Sequence, residues 1–70
     1  MIFNNEKFKD DLFRIRTEKE LSRKEIAQRS KVHQSTIQGI ENNLYSPQIE
    51  TFLKLCKWME VKPTIYFKNN

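Results

Sequence analysis

The hydrophobic residues of the chain recur at helical spacing in several segments, and the first of these lies near the amino terminus. Between about Glu6 and Lys19 they are separated by steps of four and three, which places them on one face of a helix. This apolar stripe consists of Phe8, Leu12 and Ile15. The spacing predicts an amphipathic first helix. Asn4 or Asn5 is its expected N-cap, because an Asn side chain accepts a hydrogen bond from an N–H group of the first turn.

The second segment carries the strongest local signal for a helix start. Ser22 and Glu25 have the spacing of a capping box, in which each side chain accepts a hydrogen bond from the backbone N–H of the other residue. The pattern predicts a second helix that ends at residue 29 or 30 and buries Ile26 and Ala27.

A tight turn at residues 31–33 separates this helix from a third, which is predicted over roughly Gln34 to Glu41. Ile37 and Ile40 lie three positions apart and are expected to face the core. The pair Asn42–Asn43 ends the helix, because Asn is the residue other than Gly that best tolerates the left-handed conformation of many helix ends.

The fourth helix is predicted to begin near Ser46–Pro47, or one or two residues later, since Pro is favoured at the first position of a helix. Leu55 lies at the edge of its apolar face, and Trp58 points away from that face. The residues at helical spacing, all expected to be buried, are Ile49, Phe52, Leu53, Cys56 and Met59.

Residues 61–70 form a tail with an ambiguous pattern. Pro63 is compatible with the start of a short helical turn, whereas residues 64–67 are equally compatible with a short strand.

Several apolar residues, among them Phe13 and Tyr66, are not explained by the main core, and two interpretations compete. In the first, the tail folds back over Phe13. In the second, Trp58, Ile65 and Phe67 form a two-fold dimer contact, because exposed aromatic side chains often mark interfaces. We expect a mixture, with the tail packed on the first helix and Trp58 near a dimer seam.

Composition agrees with helices joined by short turns, because the 70 residues include one glycine, two prolines and 31% charged residues. This length suffices for one domain with a single core, so we predict one domain over residues 1–70. The predicted fold class is all-α, with four to five short helices around one core.

A single cysteine excludes an internal disulfide. With no signal peptide and no long apolar run, the sequence favours a cytoplasmic protein without a membrane segment.

The positive charge is concentrated in one part of the chain. The net charge is +4, and residues 21–40 contain only one acidic residue, Glu25. The basic residues in this stretch are Arg23, Lys24, Arg29 and Lys31. A basic surface agrees with a nucleic-acid partner, although charge alone is equally compatible with an ordinary solvated face.

The second and third helices, joined by a short turn with the small Ala27 near their contact, have the pattern of a helix-turn-helix. In such a unit the second helix enters a major groove about 12 Å wide, and the first lies across the DNA backbone. The stretches LSRKEIA (21–27), VHQSTI (32–37) and IEN (40–42), with the segment 46–56, together resemble the helix-turn-helix family of Cro and the lambda-type repressors. The resemblance covers about residues 8–61 and implies a repressor-like regulator that binds duplex DNA sequence-specifically.

The resemblance further implies that the front of the third helix reads bases. Carried over by position, this role falls on His33, Gln34, Ser35 and Gln38. The chemistry agrees, because Gln can bond to N6 and N7 of adenine in bidentate fashion and Ser can contact several bases. Gln34 is the expected main reader, with Gln38 one turn further along the same face. Without the motif, these polar residues would be read simply as a solvated surface.

Contacts to the DNA backbone are expected from residues around the motif: Arg23, Lys24, Lys31, Asn43 and Tyr45. Such contacts fix the register without reading sequence. Arg23 departs from the usual Gln of the family and should strengthen phosphate binding. Lys31 stands where Gly is common, which implies backbone strain. His33 replaces the usual Ser or Thr cap, and Gly39 replaces a longer side chain, which removes one contact.

The resemblance also implies a salt bridge between Arg16 and Glu41. This pair would tie the first helix to the end of the recognition helix, so its role would be orientation as much as stability.

No enzymatic chemistry is indicated, because the sequence shows no metal-ligand cluster, Gly-rich phosphate loop or nucleophile–base set. Asp10 and Asp11 are expected to be exposed helix positions. The predicted partners are double-stranded DNA and a second copy of the chain, with no cofactor. Two alternatives stay open: a DNA-binding antitoxin whose aromatic tail grips a toxin, and a protein-interaction module on the same fold.

Overall fold

Four α-helices make up most of the computed structural model, which describes residues 2–68. In chain order the elements are strand β1 (Ile2–Phe3), helices α1 (Asn5–Glu18), α2 (Arg23–Ser30), α3 (Gln34–Glu41) and α4 (Ile49–Met59), a 3₁₀ helix (Pro63–Tyr66) and strand β2 (Phe67–Lys68). The mostly helical fold class is therefore confirmed. None of the helices within the described residues is long and apolar enough to span a bilayer.

Side-chain caps set the starts of the first two helices. The Asn4 side chain accepts a hydrogen bond from the Lys7 N–H at 3.1 Å. The predicted capping box is present: the Ser22 hydroxyl accepts from the Glu25 N–H at 3.1 Å, and the Glu25 carboxylate accepts from the Ser22 N–H at 3.0 Å. These hydrogen bonds with Ser22 hold the pKa of the Glu25 carboxyl below its ordinary value.

Each of the four helices is followed by a residue in the left-handed region. These residues have φ between 56° and 61° and are Glu20, Lys31, Asn43 and Glu60. The left-handed conformation at Asn43 was expected, and the strain predicted at Lys31 has its basis in the same geometry. For a residue other than Gly this conformation costs roughly 1 kcal/mol.

The core lies where the four helices and the tail meet. The buried hydrophobic residues are Phe8, Leu12, Ile26, Val32, Ile37, Ile40, Phe52, Leu55, Cys56, Met59 and Tyr66. Burial raises the pKa of the Cys56 thiol to about 11, so the thiol stays protonated near neutral pH. Ala27, which was expected to be buried, is only partly covered.

The predicted buried face of α4 was partly wrong. Ile49 and Leu53 are 65% and 46% exposed, whereas Leu55, placed at the edge of the face, is fully buried. Successive residues of an α-helix are rotated by about 100°, so Leu53 and Leu55 lie on nearly opposite sides of α4. Packing therefore selects one of them, and periodicity alone could not say which.

The tail begins with the short helical turn that Pro63 allowed, and of the alternative strand at residues 64–67 only Phe67 lies in a strand. After the 3₁₀ helix, β2 pairs antiparallel with β1, with Phe67 opposite Phe3. This two-stranded ribbon was not predicted, because its strands are two residues long and come from opposite ends of the described chain. The tail packs on α1 as expected, and Tyr66 meets the Phe8 ring at 5.2 Å between centroids. Phe13 is half exposed and lies beneath the Arg16 guanidinium at 5.3 Å.

A hydrogen bond joins the tail to α1 and corrects the predicted exposure of Asp11. The Tyr66 hydroxyl donates to the Asp11 carboxylate at 2.9 Å, and the Asp11 side chain is only 17% exposed. Burial alone would raise the pKa of Asp11, but the hydrogen bonds from Tyr66 and Arg14 outweigh it and the pKa is lowered. Burial, assisted by the bond to Asp11, raises the pKa of Tyr66.

We expect Tyr66→Phe to lower the free energy of unfolding by about 1–2 kcal/mol at pH 7, the effect of one hydrogen bond to a charged group. A lowered folded-state pKa of Asp11 stabilises the fold above its unfolded pKa of about 4, and this contribution is lost as the pH falls through the folded value. The difference in free energy of unfolding between wild type and variant, measured by urea titration, should therefore become smaller below pH 4. A gap that stays constant down to pH 2 would contradict this assignment.

Candidate nucleic-acid interface

Helix α3 has one side in the core and one side free. Ile37 and Ile40 are fully buried, whereas Gln34, Ser35 and Gln38 are exposed. Residues two apart on a helix point in nearly opposite directions, so Ser35 faces away from the core side that Ile37 occupies. The free side thus carries three of the residues predicted to read bases, next to one another on one helix.

His33 lies at the start of this free side. It is the N-cap residue of α3, but its side chain makes no capping hydrogen bond, as expected for His at this position. The His33 carbonyl accepts from the N–H groups of Thr36 and Ile37 at 3.0 and 3.1 Å, so the backbone alone starts the helix. The exposed imidazole is therefore not used by the cap.

A shallow hollow between α2 and α3 brings predicted phosphate and base contacts together. Its polar lining consists of Lys24, Gln28, Lys31, His33 and Gln34. The cationic side chains of Lys24 and Lys31 thus lie beside His33 and Gln34, the first two residues predicted to read bases. Gln28 was not singled out from the sequence, because an isolated polar residue on α2 carries no signal of what lies across the turn.

The carboxylate of Glu41, at the end of α3, is shared by two arginines. Its side chain is only 1% exposed. Arg16 of α1 makes two hydrogen bonds to it, at 2.8 and 3.0 Å, and the predicted ion pair is therefore present in the structure. Arg23, the first residue of α2, donates to the same carboxylate at 2.7 Å.

Arg23, the third member of this cluster, changes the net charge of the cluster. One carboxylate cannot neutralise two guanidinium groups, so the cluster carries one positive charge in excess. Arg16 is the more buried of the two, with 13% of its side chain exposed, and it also donates to the Leu21 carbonyl at 3.1 Å. Arg23 is 31% exposed and holds the excess charge at the surface. The pairing of Arg23 with Glu41 was missed from the sequence, which assigned Arg23 to phosphate alone.

Tyr45 and Gly39 form a contact that sequence reasoning also missed. The Tyr45 ring lies directly over Gly39, and a Cβ added at Gly39 would overlap that ring. Position 39 is therefore not an empty gap on α3, because a side chain from the following loop covers it. Asn43, in the same loop, has its side-chain oxygen 3.5 Å from the Asn5 side-chain nitrogen of α1.

Two of the residues proposed for a dimer contact, Trp58 and Phe67, lie in different hollows of the surface. Phe67 lines a hollow with Ile49, whereas Trp58 lines another with lysines of α4. Ile49 and Trp58 are nine positions apart, which at about 100° per residue places them on opposite flanks of α4. Trp58 is partly buried against the core, and Ile65 is 46% exposed on the tail.

Two short helices joined by a three-residue turn, the second with a free polar side, define a helix-turn-helix DNA-binding protein. Residues 12–65 match the family model described as helix-turn-helix, and the chain belongs to this family, that of Cro and the lambda-type repressors. No individual curated protein matches the chain significantly. Within residues 2–68, no three His, Cys, Asp or Glu side chains come together as a metal site.

We expect Glu41→Ala to lower the free energy of unfolding by about 3 kcal/mol, because it strands two arginines that share one buried partner. Glu18→Ala is the matched control: Glu18 pairs with Arg14 in the open, so its loss should cost at most about 0.5 kcal/mol. Chemical denaturation measures both variants. Equal stabilities of Glu41→Ala and wild type would show that the cluster does not hold the fold.

Proposed function

We propose that this protein is a sequence-specific DNA-binding transcription regulator of the repressor type, acting in the cytoplasm, that places α3 in the major groove of duplex DNA. The observation that carries the proposal is the free side of α3. It bears Gln34, Ser35 and Gln38, while Ile37 and Ile40 anchor the opposite side in the core. A rigidly held helix with an exposed amide-rich side suits the pattern of donors and acceptors in the major groove.

Gln34 is the principal reader in this proposal. It is the first residue of α3, and the first residues of a recognition helix are those that contact base edges. Its amide can donate to N7 and accept from N6 of one adenine, which fixes both the base and the orientation of the helix. Ser35 and Gln38 read neighbouring bases, and His33 extends the surface at its amino-terminal end.

The proposed phosphate contacts lie at both ends of the base-reading side of α3. Lys24 and Lys31 line the same hollow as Gln34, and Arg23 presents the excess positive charge of the Glu41 cluster. Asn43 lies at the opposite end of α3, where the chain leaves the helix. Contacts at both ends of α3 would hold the helix in register along the groove.

We also propose that the DNA-bound form is a homodimer. Several apolar side chains remain at the surface, including Ile2, Ile49, Leu53 and Ile65, which are between 46% and 65% exposed. A domain of this size gains both stability and binding surface from pairing. A two-fold dimer would read two half-sites about 34 Å apart.

Selection of binding sites from a random duplex library tests the proposal. Wild type should enrich an inverted repeat, and Gln34→Ala should lose preference at one base pair per half-site, at a cost of about 1–3 kcal/mol. Gln48→Ala is the matched control, because Gln48 is exposed but lies outside α3. A Gln34→Ala selection identical to that of wild type would remove Gln34 as a reader.

The same selection separates the alternatives. A protein-interaction module would enrich no sequence at low salt, and its binding to a protein partner would depend only weakly on salt. A DNA binder loses affinity steeply as salt rises. An antitoxin would enrich an operator and would also bind a second protein through its tail, a contact that Ile65→Asp should weaken.

We expect Lys31→Gly to raise the free energy of unfolding by up to about 1 kcal/mol, because Gly adopts the left-handed conformation of position 31 without strain. The same variant should weaken DNA binding, because it removes a phosphate contact. The slope of log affinity against log salt should fall by about one. Glu60→Gly is the matched control: Glu60 has the same backbone conformation at the end of α4, so this variant should be stabilised without losing affinity. An unchanged salt slope for Lys31→Gly would exclude Lys31 as a phosphate contact.

A further inference from the structure

The side of α3 that faces away from the core contains a position with no side chain. Gly39 lies one turn after Ser35, so the two share a face, and it lies two residues after Ile37, so it points away from the core. A residue at such a position would be exposed in most helices. Gly39 is nevertheless buried, because Tyr45 covers it.

Backbone conformation does not explain the glycine. Gly39 is the only glycine of the chain and does not have a positive φ, whereas the four left-handed positions are all occupied by other residues. In the interior of a helix Gly costs about 1 kcal/mol relative to Ala. What Gly39 provides is space, since a Cβ at this position would overlap both the ring and the hydroxyl of Tyr45.

The Tyr45 side chain is held on α3 from both ends. Its hydroxyl lies 3.4 Å from the carbonyl oxygens of Ser35 and Thr36, so it can donate to either. At the backbone, the Leu44 N–H donates to the Gly39 carbonyl at 2.9 Å and fixes the start of the loop. The ring is therefore part of the α3 surface, although it comes from outside the helix, and Tyr45 remains 47% exposed.

We propose that Tyr45 is a base-reading residue that takes the place of a side chain at position 39, and that its ring contacts the 5-methyl group of a thymine. The inference rests on the proposed function and changes the role of Tyr45, which the sequence assigned to phosphate. Its hydroxyl lies within hydrogen-bonding distance of backbone carbonyls, so the ring is the part of the side chain that is left to make an apolar contact with a ligand. The thymine methyl is the apolar group that the major groove presents.

Substitution of deoxyuridine for thymine tests this contact, because it removes only the methyl group and keeps the hydrogen-bonding edge. In the duplex selected by wild type, each thymine is replaced in turn. One replacement per half-site should weaken wild-type binding about four-fold, the effect of one buried methyl group. Tyr45→Ala should bind the thymine and deoxyuridine duplexes equally. Tyr45→Phe should keep the wild-type preference because it keeps the ring.

Gly39→Ala provides a second, independent variant. The added methyl group displaces the Tyr45 ring from α3, so this variant should also lose the thymine preference although its helix propensity is improved. Leu44→Ala is the matched control, since Leu44 is 71% exposed in the same loop and should keep the preference.

The outcomes separate the inference from the function on which it rests. If wild type enriches no sequence, both fail together. If it enriches an operator in which no thymine responds to deoxyuridine, only the role of Tyr45 is overturned. The role is overturned as well if Tyr45→Ala keeps the four-fold preference while losing affinity equally for both duplexes, because that is the result expected of a loop brace or a phosphate contact.

Discussion

The buried carboxylate of Glu41 is the constraint on which the geometry of the helix-turn-helix depends. It lies at the end of α3 and binds Arg16 of α1 and Arg23 at the start of α2, while Arg16 reaches on to the Leu21 carbonyl in the intervening turn. A carboxylate with 1% exposure is tolerated only when its charge is paired, so α1, α2 and α3 must all be in place for the Glu41 carboxylate to have its partners. The cluster thereby fixes where α3 ends and how it is oriented.

This fixation matters because α2 and α3 are short. Each has eight residues, and isolated helices of that length are marginal in water. Helix α3 therefore forms because Ile37 and Ile40 pack in the core and Glu41 is held by two arginines. The polar side chains on the opposite side of α3 do not pack in the core, so they are available to bind a ligand. The excess charge of the cluster, carried by Arg23 beside the end of α3, favours an anionic partner.

Features governed by neighbours in sequence could be predicted. The capping box of Ser22 and Glu25, the bounds of α3 and the left-handed Asn43 all follow from local hydrogen bonding and backbone preference. Pairing of Arg16 with Glu41 was not visible in local patterns, and only the family resemblance pointed to it.

Features that depend on which distant segments meet could not be predicted. Leu53 and Leu55 are equally apolar, and only packing decides that Leu55 is buried. Asp11 looked like a surface residue until the tail supplied the Tyr66 hydroxyl. The Gly39 position appeared to be a lost contact, because nothing in the sequence places Tyr45 over it. On α3, therefore, the buried and exposed positions could be predicted, whereas the packing of Arg23 and Tyr45 against the helix could not.

Backbone amide NMR of the labelled protein, titrated with its selected duplex, tests most directly whether the free side of α3 is the DNA-binding surface. The account predicts that the largest shift changes fall in residues 31–45 and at Arg23 and Lys24, with little change at Arg14 and Glu18 of α1. Shift changes centred instead on Ile49, Leu53 and the β1–β2 ribbon would contradict it and would place the binding surface on the apolar side of the molecule.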